Sequence, residues 1–320
     1  MLVGVDIGGT KTAVTIAEEL PHILFREEFP TQPDQGPEHA LQKIHELIEC
    51  GLERVGKPSS FRIGVSCGGP LDRVRGVIQS PPNLPNWNDV RIKDILEERF
   101  HVPCLVENDA NAGAVAEHRY GAGQGCQNII FLTMGTGFGA GLILNGELYR
   151  GANELAGEIG HLRLTETGPV GYGKAGSVEG WASGRGMALH GADAVAAAIE
   201  SGTHTSLSEN HHSQQLTAQV IGDAAALGDA VAQQIIRETG KRLGETLAIL
   251  VDLLNPERII IGGLALRLGD LLFEPALNSM RREALPQSGK ACVVVRAGLE
   301  KHIGDISALC VAAGLTNRRA

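Results

Sequence analysis

The stretch Val5-Asp6-Ile7-Gly8-Gly9-Thr10-Lys11 follows the apolar pair Leu2-Val3 and combines an acidic residue, two glycines, a threonine and a lysine. A second glycine-rich stretch, Leu132–Gly141 (LTMGTGFGAG), follows Ile129-Ile130-Phe131. In each, small residues and a threonine stand between two runs rich in β-branched residues, which is typical of a hairpin between strands. Glycine allows the backbone to approach a bulky anion and to point its N–H groups at it. Two such turns can hold a polyphosphate from both sides, which indicates ATP.

Ordinary tight turns are the alternative for either stretch taken alone, because glycine-rich turns are common. A Walker-type loop does not fit, since the spacing G-x-x-x-x-G-K-[S/T] does not occur. A dinucleotide fingerprint does not fit either, because the strand-like run 12–16 follows the first turn where a helix is needed. The phosphate interpretation therefore depends on the two turns together with the acidic and amide residues between them.

Length and charge narrow the class of protein. A chain of 320 residues suits two domains or one large α/β unit. The formal charge of −9 argues against nucleic acid as a partner, and no basic run longer than a pair such as Arg318-Arg319 offsets it. No apolar run approaches the ~20 residues that span a bilayer, and no signal peptide is visible. The six cysteines contain no C-x-x-C pair, which indicates free buried thiols. We therefore expect a cytoplasmic protein without a membrane partner.

Hydrophobic periodicity predicts alternating strands and helices. Strands are expected at 2–6, 12–17, 23–28, 62–67, 103–106 and 258–261, and helices at 38–55, 90–100, 109–120, 178–190, 230–254 and 304–315. The hairpin at 128–144 repeats the opening hairpin and suggests an internal structural duplication. The polar segment 202–213 is expected to be a loop, whose pair His211-His212 is either solvated or a metal site. We expect an N-terminal α/β domain of residues 1–118, to which 303–320 return, and a C-terminal α/β domain of residues 119–302.

The segment Asn108-Asp109-Ala110-Asn111 follows a buried strand and begins a predicted helix. A carboxylate at this place is solvated by helix N–H groups. Its alternative role is a simple helix cap, worth about 1 kcal/mol. Because phosphoryl transfer needs mainly alignment and charge neutralisation, a carboxylate is an adequate base. We assign Asp6, in the first glycine-rich stretch, to metal and phosphate, which leaves Asp109 as the expected general base for a substrate hydroxyl.

Further polar residues lie in segments bounded by glycine or proline. Asn83 lies on a proline-stiffened loop, Glu158 and His161 are three residues apart, and Glu179 begins the predicted helix 178–190. Amides, carboxylates and an imidazole without an aromatic cage suit a polyhydroxyl ligand. A structural role is the alternative for His161 or Glu179 taken singly.

At these residues the chain resembles the sugar kinases of the ROK family (repressor, open reading frame, kinase), within the actin-like ATPase superfamily. The resemblance spans essentially the whole chain. Its motifs are Asp6–Lys11, Gly69–Asp72, Pro82–Leu84, Asn108–Asn111, Gly135–Gly139, Glu158–His161 and Ile261–Gly263. The resemblance implies an α/β, two-domain actin-like ATPase (ribonuclease-H-like) fold with a nucleotide and sugar cleft between the domains.

The resemblance also implies a role for each matching position. The residues implied to bind ATP phosphates are Gly8, Gly9, Thr10, Lys11, Thr136 and Gly137. Asp6 would act through Mg²⁺ and its waters, and Gly262 and Gly263 would lie near the adenosine. The residues implied to bind the sugar are Gly68, Asn83, Asn108, Glu158, His161 and Glu179. Asp109 matches the catalytic base of the family.

One departure from the family concerns a structural zinc. Most members carry C-x-C-G-x-x-G-C-x-E after the Glu-x-Gly-His motif, and its three thiolates join the histidine on zinc. Here Val170, Tyr172 and Ser177 stand at the cysteine positions, and none of them is a good zinc ligand. We therefore expect no zinc, a loop held by packing of Tyr172 and Trp181, and His161 left to the sugar.

The expected function is ATP-dependent phosphorylation of a hexose or N-acetylhexosamine by a homodimer, with Mg²⁺ as the metal. A sugar-sensing repressor is one alternative, but repressors need a helix-turn-helix ahead of the sugar domain. Because the first glycine turn begins near residue 6, we expect none. A catalytically silent sugar-binding protein is the other alternative, and the presence of Asp6, Asp109 and both turns argues against it. The identity of the sugar stays open, since kinases for several hexoses share these motifs.

Overall fold

The computed structural model describes residues 1–212 and 214–317. Ser213 of the predicted loop, the Arg318-Arg319 pair and the last residues of the segment 303–320 lie outside this range. The strands are β1 (Leu2–Ile7), β2 (Lys11–Ala17), β3 (Ile23–Pro30), β4 (Arg62–Cys67), β5 (Leu71–Asp72), β6 (Val77–Ile78), β7 (Cys104–Asn108), β8 (Ile129–Met134), β9 (Phe138–Leu144), β10 (Glu147–Tyr149), β11 (Val170–Gly171), β12 (Lys174–Ala175), β13 (Arg258–Gly263) and β14 (Val293–Arg296). The helices are α1 (Pro37–Arg54), α2 (Ile92–Phe100), α3 (Asp109–Tyr120), α4 (Val178–Ala182), α5 (Gly184–Glu200), α6 (Ser208–His212), α7 (Ala218–Ala226), α8 (Ala230–Leu254), α9 (Leu264–Leu268), α10 (Asp270–Glu283), α11 (Pro286–Ala291) and α12 (Ile303–Ala312).

Two five-stranded sheets in the described part of the chain share one strand order. The first sheet has the order β3-β2-β1-β4-β7 and the second has the order β10-β9-β8-β13-β14. In both sheets the middle strand pairs in parallel with the strand that follows it in this order: β1 pairs with β4, and β8 pairs with β13. The internal duplication predicted from the two hairpins is therefore confirmed as a repeat of sheet topology.

The parallel strands of the first sheet end together at one edge. Ile7 at the end of β1 pairs with Cys67 at the end of β4, and Cys67 in turn pairs with Asn108 at the end of β7. The first glycine turn, the Gly68-Gly69 pair and helix α3 all begin from these ends. Ligands of open α/β sheets bind at the carboxyl ends of the strands, so this edge is the place to look for a site.

Helix α12 covers one face of the same sheet at short range. A Cβ atom on Gly4 of β1 would lie 2.9 Å from the backbone nitrogen of Leu309, and a Cβ on Gly64 of β4 would overlap the backbone of Ala312. Side chains at these two strand positions would force the helix away from the sheet. The helix therefore packs backbone against backbone on the two central strands, and the apolar core on the sheet includes Val3, Val5, Ile44, Ile63, Val65 and Leu96.

The chain divides into two compact units. The first unit comprises Met1–Gln127, Gly141–Glu154 and the described part of Gly298–Ala320. The second comprises Asn128–Ala140 and the described part of Leu155–Ala297. The domain boundaries expected from the sequence, after residue 118 and after residue 302, stay a prediction.

Two of the predicted elements are wrong in detail. The helix expected over 178–190 is two helices, α4 and α5, because Ser183 adopts extended backbone and its hydroxyl oxygen accepts a hydrogen bond from Gly186 N at 2.9 Å. Serine in this role starts a new helix. The segment 202–213, expected to be a loop, contains the short helix α6, preceded by the buried Leu207. None of the helices in the described ranges has the length and apolarity to cross a membrane.

Candidate active site

Three predicted side chains meet at the edge of the first sheet, around Gly68-Gly69. A Cβ atom on Gly68 would lie 3.7 Å from Oδ2 of Asp109 and 3.7 Å from Nδ2 of Asn83. A Cβ on Gly69 would lie 3.5 Å from Nδ2 of Asn108. Because both glycines lack side chains, the space in front of the Asp109 carboxyl is left open to a ligand.

The start of α3 fixes the position of Asp109. Asn108 is the N-cap residue, and its Oδ1 accepts hydrogen bonds from Ala110 N at 3.0 Å and Asn111 N at 3.2 Å. The capping role considered for Asp109 therefore belongs to Asn108. Oδ1 of Asp109 accepts from Ala110 N at 2.8 Å. Burial raises the pKa of Asp109, and the backbone hydrogen bonds partly oppose this change.

Asp6 shares its surroundings with other carboxylates. Its pKa is raised to about 7, mainly because the carboxyl is withdrawn from water and then because Asp109 and Asp305 add negative charge nearby. The carboxyl of Asp6 lies against the first turn of α12, where a Cβ on Gly304 would overlap it. A divalent cation suits such a group, because hard cations prefer carboxylate oxygens and would relieve the accumulated negative charge.

The first glycine turn is closed by Gly8 N, which donates to Lys11 O at 3.0 Å. The buried Thr31 supports it, since its hydroxyl donates to Gly8 O at 2.6 Å and its amide to Thr10 O at 3.0 Å. A Cβ on Gly9 would lie 2.6 Å from the carbonyl oxygen of Asn83, so the turn packs directly on the Asn83 loop. Sequence reasoning missed Thr31, which is distant in the chain and follows the edge strand β3.

Lys11 is part of a chain of charges within the first unit. Its Nζ lies 3.0 Å from Glu28, which also contacts Arg26 at 2.6 Å. Arg26 in turn lies 2.8 Å from Asp305 on α12, beside Gly304. The Lys11 side chain is 59% exposed, so the ion pair with Glu28 is held in water and contributes little to stability. Lys11 can therefore leave Glu28 for a phosphate group at small cost.

Sequence reasoning also missed a buried carboxylate directly before the segment Asn108–Asn111. Glu107 is 1% exposed and lies 2.7 Å from Nη2 of Arg150. Its Oε1 accepts from Asn108 N at 3.1 Å and from Nδ2 of Asn111 at 3.2 Å. Arg150 also contacts Glu154 at 3.3 Å and donates to the carbonyl oxygen of Thr316. The network fixes the backbone that carries Asn108 and Asp109.

The second unit holds the other glycine turn and the glycines implied for adenosine. In the pairing of β8 with β13, Gly262 lies opposite Thr133 and Gly263 opposite Met134. The Gly262-Gly263 pair and the turn that begins at Gly135 therefore share one sheet edge. Gly263 has φ 72°, and a Cβ there would overlap the carbonyl of Met134. Both its conformation and the lack of space require glycine.

The predicted sugar residues of the second unit lie close together around α4. Glu158 precedes a short 3-10 turn that ends at His161, and the His161 ring meets that of Tyr172 edge-on, with 6.3 Å between their centroids. Gly160 within this turn packs on Glu179, because a Cβ on Gly160 would lie 3.5 Å from the Cβ of Glu179. Oε2 of Glu179 accepts a hydrogen bond from Phe138 N at 3.2 Å. Glu179 therefore connects the other predicted sugar residues to the second glycine turn.

The residues at the zinc-ligand positions do not fit zinc. Val170 and Tyr172 are exposed, and the buried hydroxyl of Ser177 caps α4 by accepting from Gly180 N at 3.1 Å. Over residues 1–212 and 214–317, no group of three or more His, Cys, Asp or Glu side chains is arranged to hold a metal ion. A serine hydroxyl used as a helix cap and an exposed valine give no coordination sphere.

Hydrogen bonds hold this loop instead. Nε1 of Trp181 donates to the hydroxyl of Thr165 at 2.8 Å, Lys174 donates to the carbonyl of His161 at 2.8 Å, and Arg163 donates to that of Ala175 at 2.8 Å. Trp181 has the supporting role expected from the sequence. Tyr172 contributes the ring contact with His161, although its side chain is largely exposed.

Comparison with known proteins agrees with this architecture. The sequence matches the ROK family over residues 2–315. It is 35% identical over 289 residues to a glucokinase of Halalkalibacterium halodurans, covering 89% of this chain and 86% of that one. A crystal structure of a ROK family glucokinase from Streptomyces griseus, in complex with glucose and AMPPNP, superposes with a TM-score of 0.83 at 32% identity and covers 98% and 99% of the two chains. The DNA-binding regulator NagC of Escherichia coli is 31% identical over 309 residues, covering 93% of this chain and 72% of that one.

The duplicated five-stranded sheets and the structural likeness define an α/β protein with the actin-like ATPase fold. Within that class, the chain belongs to the ROK family. The family expected from the sequence motifs is thereby confirmed.

Proposed function

We propose that this chain transfers the γ-phosphoryl group of ATP to a hydroxyl of a hexose or N-acetylhexosamine, with Asp109 as the general base. That the chain is an ATP-dependent sugar kinase follows from its family and from its likeness to two glucokinases. The observation that carries the finer proposal is the meeting of Asp109, Asn83 and Asn108 around the two glycines Gly68-Gly69. Glucose is the first candidate among the sugars, because the S. griseus relative was crystallised with it.

In the proposed reaction, Asn83 and Asn108 orient the sugar in front of Asp109. The carboxylate accepts the proton of the attacking sugar hydroxyl. The hydroxyl oxygen bonds to the γ-phosphorus, the bond between the γ-phosphorus and the bridging oxygen breaks, and ADP leaves. A raised pKa makes Asp109 a stronger base once ionised. In the second unit, Glu158, His161 and Glu179 supply further acceptors and donors for the sugar hydroxyls.

For the nucleotide, backbone N–H groups of both glycine turns are proposed to contact the phosphates. The residues are Gly8, Gly9, Thr10, Thr136 and Gly137, and Lys11 joins them by leaving Glu28. Gly262 and Gly263 are proposed to contact the adenosine. Asp6 is proposed to face Mg²⁺, which, when bound with ATP, supplies neutralisation of the phosphate charge. We also propose that the protein is cytoplasmic and that it forms a homodimer. Light scattering can measure the oligomeric state.

A second candidate function is sugar sensing without catalysis. Its support is the likeness to the regulator NagC, which is comparable in identity to the likeness to the kinases. The two candidates differ in whether bound sugar is phosphorylated.

The test is an ADP-release assay with Mg-ATP and a panel of hexoses and N-acetylhexosamines. Asp109→Asn keeps the shape of the side chain but cannot accept the proton, so kcat should fall by about 10²–10⁴ while the KM for sugar changes much less. The control is Asp270→Asn, at a carboxylate that is 79% exposed, and it should leave kcat unchanged. An Asp109→Asn variant with more than about a tenth of the wild-type kcat removes Asp109 as the base. Sugar binding by the wild type without phosphate transfer favours the sensing function.

A further inference from the structure

The second glycine turn, Gly135–Gly137, is contacted by the first residues of α5. Gly135 N donates to Gly137 O at 3.0 Å and closes the turn. Gly184 N donates to Gly135 O at 2.8 Å, and Arg185 N donates to Thr136 O at 3.4 Å. Helix α5 therefore occupies the carbonyl groups of Gly135 and Thr136, and Gly135 N occupies that of Gly137, which leaves the N–H groups of Thr136 and Gly137 for other partners.

The N–H group of Phe138, the residue directly after the turn, donates a hydrogen bond to a carboxylate. Phe138 N donates to Oε2 of Glu179 at 3.2 Å, and a Cβ on Gly137 would lie 3.0 Å from the same oxygen. The acidic group therefore lies directly against the turn proposed to contact ATP phosphates. Like charges at this range repel strongly where solvent screening is incomplete.

The surroundings hold Glu179 in this position. Ser177 caps α4 two residues earlier, which fixes the direction of the helix. A Cβ on Gly171 would lie 2.9 Å from the Cβ of Glu179, and a Cβ on Gly160 would lie 3.5 Å from it. The break between α4 and α5 at Ser183 allows α4 to carry Glu179 to one part of the turn while α5 contacts another.

We propose that Glu179 couples sugar binding to nucleotide binding. The inference rests on the proposed function, because Glu179 is there assigned to the sugar and the turn to the phosphates. Without sugar, the carboxylate occupies Phe138 N and repels phosphate groups at Gly137. Sugar hydroxyls that donate to Glu179 compete with Phe138 N and disperse its charge, so ATP binds more tightly. Linkage then requires that ATP tighten sugar binding by the same factor.

The test measures the affinity of a nonhydrolysable ATP analogue with Mg²⁺ by calorimetry, with and without saturating glucose. For the wild type, glucose should tighten the Kd of the analogue by at least about fivefold, and the analogue should tighten the Kd of glucose equally. Glu179→Gln removes the charge but keeps an oxygen that can accept from Phe138 N. Without glucose, this variant should bind the analogue about tenfold more tightly than the wild type does, which corresponds to about 1.4 kcal/mol.

The control is Glu166→Gln, at an exposed glutamate earlier in the same loop region; it should reproduce both wild-type values. A Glu179→Gln variant that binds the analogue no more tightly than the sugar-free wild type overturns the proposal. If that variant does not fold, a wild type whose two affinities are independent overturns it equally. Failure of the proposed function is distinguishable, because then the wild type itself would phosphorylate no sugar.

Discussion

Replacement of Asp6 by asparagine tests whether the negative charge at the sheet edge lowers the free energy of unfolding. The folded-state pKa of Asp6 is about 7, against about 3.9 for an unfolded aspartate. Because folding raises the pKa of Asp6, the protonated carboxyl favours the folded state. This contribution to stability is fully present below pH 4 and is lost as the pH rises through 7. Ionised Asp6 faces Asp109 and Asp305, and a hydrogen bond from Ser66 and the charge of Lys11 offset them only in part.

The size of the effect follows from this shift. A pKa raised by about three corresponds to an upper limit of about 4 kcal/mol at pH 8. Asp6→Asn removes the ionisable group, so its free energy of unfolding should exceed that of the wild type at pH 8. Between pH 5 and pH 8 this difference should grow by roughly 2–3 kcal/mol.

Urea unfolding of ligand-free protein at several pH values measures this difference. Asp34→Asn, in an exposed turn, is the control and should stay within about 0.5 kcal/mol of the wild type at each pH. Added Mg²⁺ with a nonhydrolysable ATP analogue should stabilise the wild type more than Asp6→Asn. The reasoning is refuted if Asp6→Asn is less stable than the wild type at pH 8, or if the two pH profiles are parallel.

Two further outcomes are expected from single perturbations. Glu107→Gln removes the buried negative charge beside Arg150 and leaves the 41% exposed Glu154 as its carboxylate partner, so the free energy of unfolding should fall by about 2–4 kcal/mol. The double variant with Arg150→Met should recover part of this loss, and a loss under about 0.5 kcal/mol would show that the network is not coupled to stability. A strong chelator should leave the melting temperature unchanged, with well below one equivalent of zinc by elemental analysis, because Ser177 serves as a helix cap and Val170 has no donor atom; stoichiometric zinc would contradict this.

The sequence predicted best those elements whose ends are set by neighbouring residues in the chain. The helix expected at 230–254 has these bounds because Asp229 caps it by accepting from Ala232 N at 2.9 Å, while Asn255 ends it with φ 45° ahead of a proline. The hairpin turns were likewise visible, since glycine is required locally. The break at Ser183 was missed because the apolar pattern continues through it, although Ser183-Gly184 is itself a signal for a helix start.

The candidate site was predictable only where a short motif marks it. Asp109 and Asn108 stand in one such motif, and the structure brings Asn83 to them through the glycine pair at 68–69. The supports of the site have no local signal. Glu107 and its partner Arg150 are 43 residues apart in the chain, and Thr31 and its partner Gly8 are 23 residues apart. Such pairings depend on tertiary packing, which no sequence window contains.

The origin of α12 from the far end of the sequence has a consequence for synthesis on the ribosome. This helix covers the central strands β1 and β4 through close contacts at Gly4 and Gly64. During translation, at about 5–20 residues per second, those strands wait on the order of tens of seconds for their cover. The segment Leu155–Ala297, which forms most of the second unit, leaves the ribosome earlier. The edge that carries Asp6 and Asp109 is therefore completed late, and a nascent chain that stalls before α12 exposes an apolar sheet for chaperones to bind.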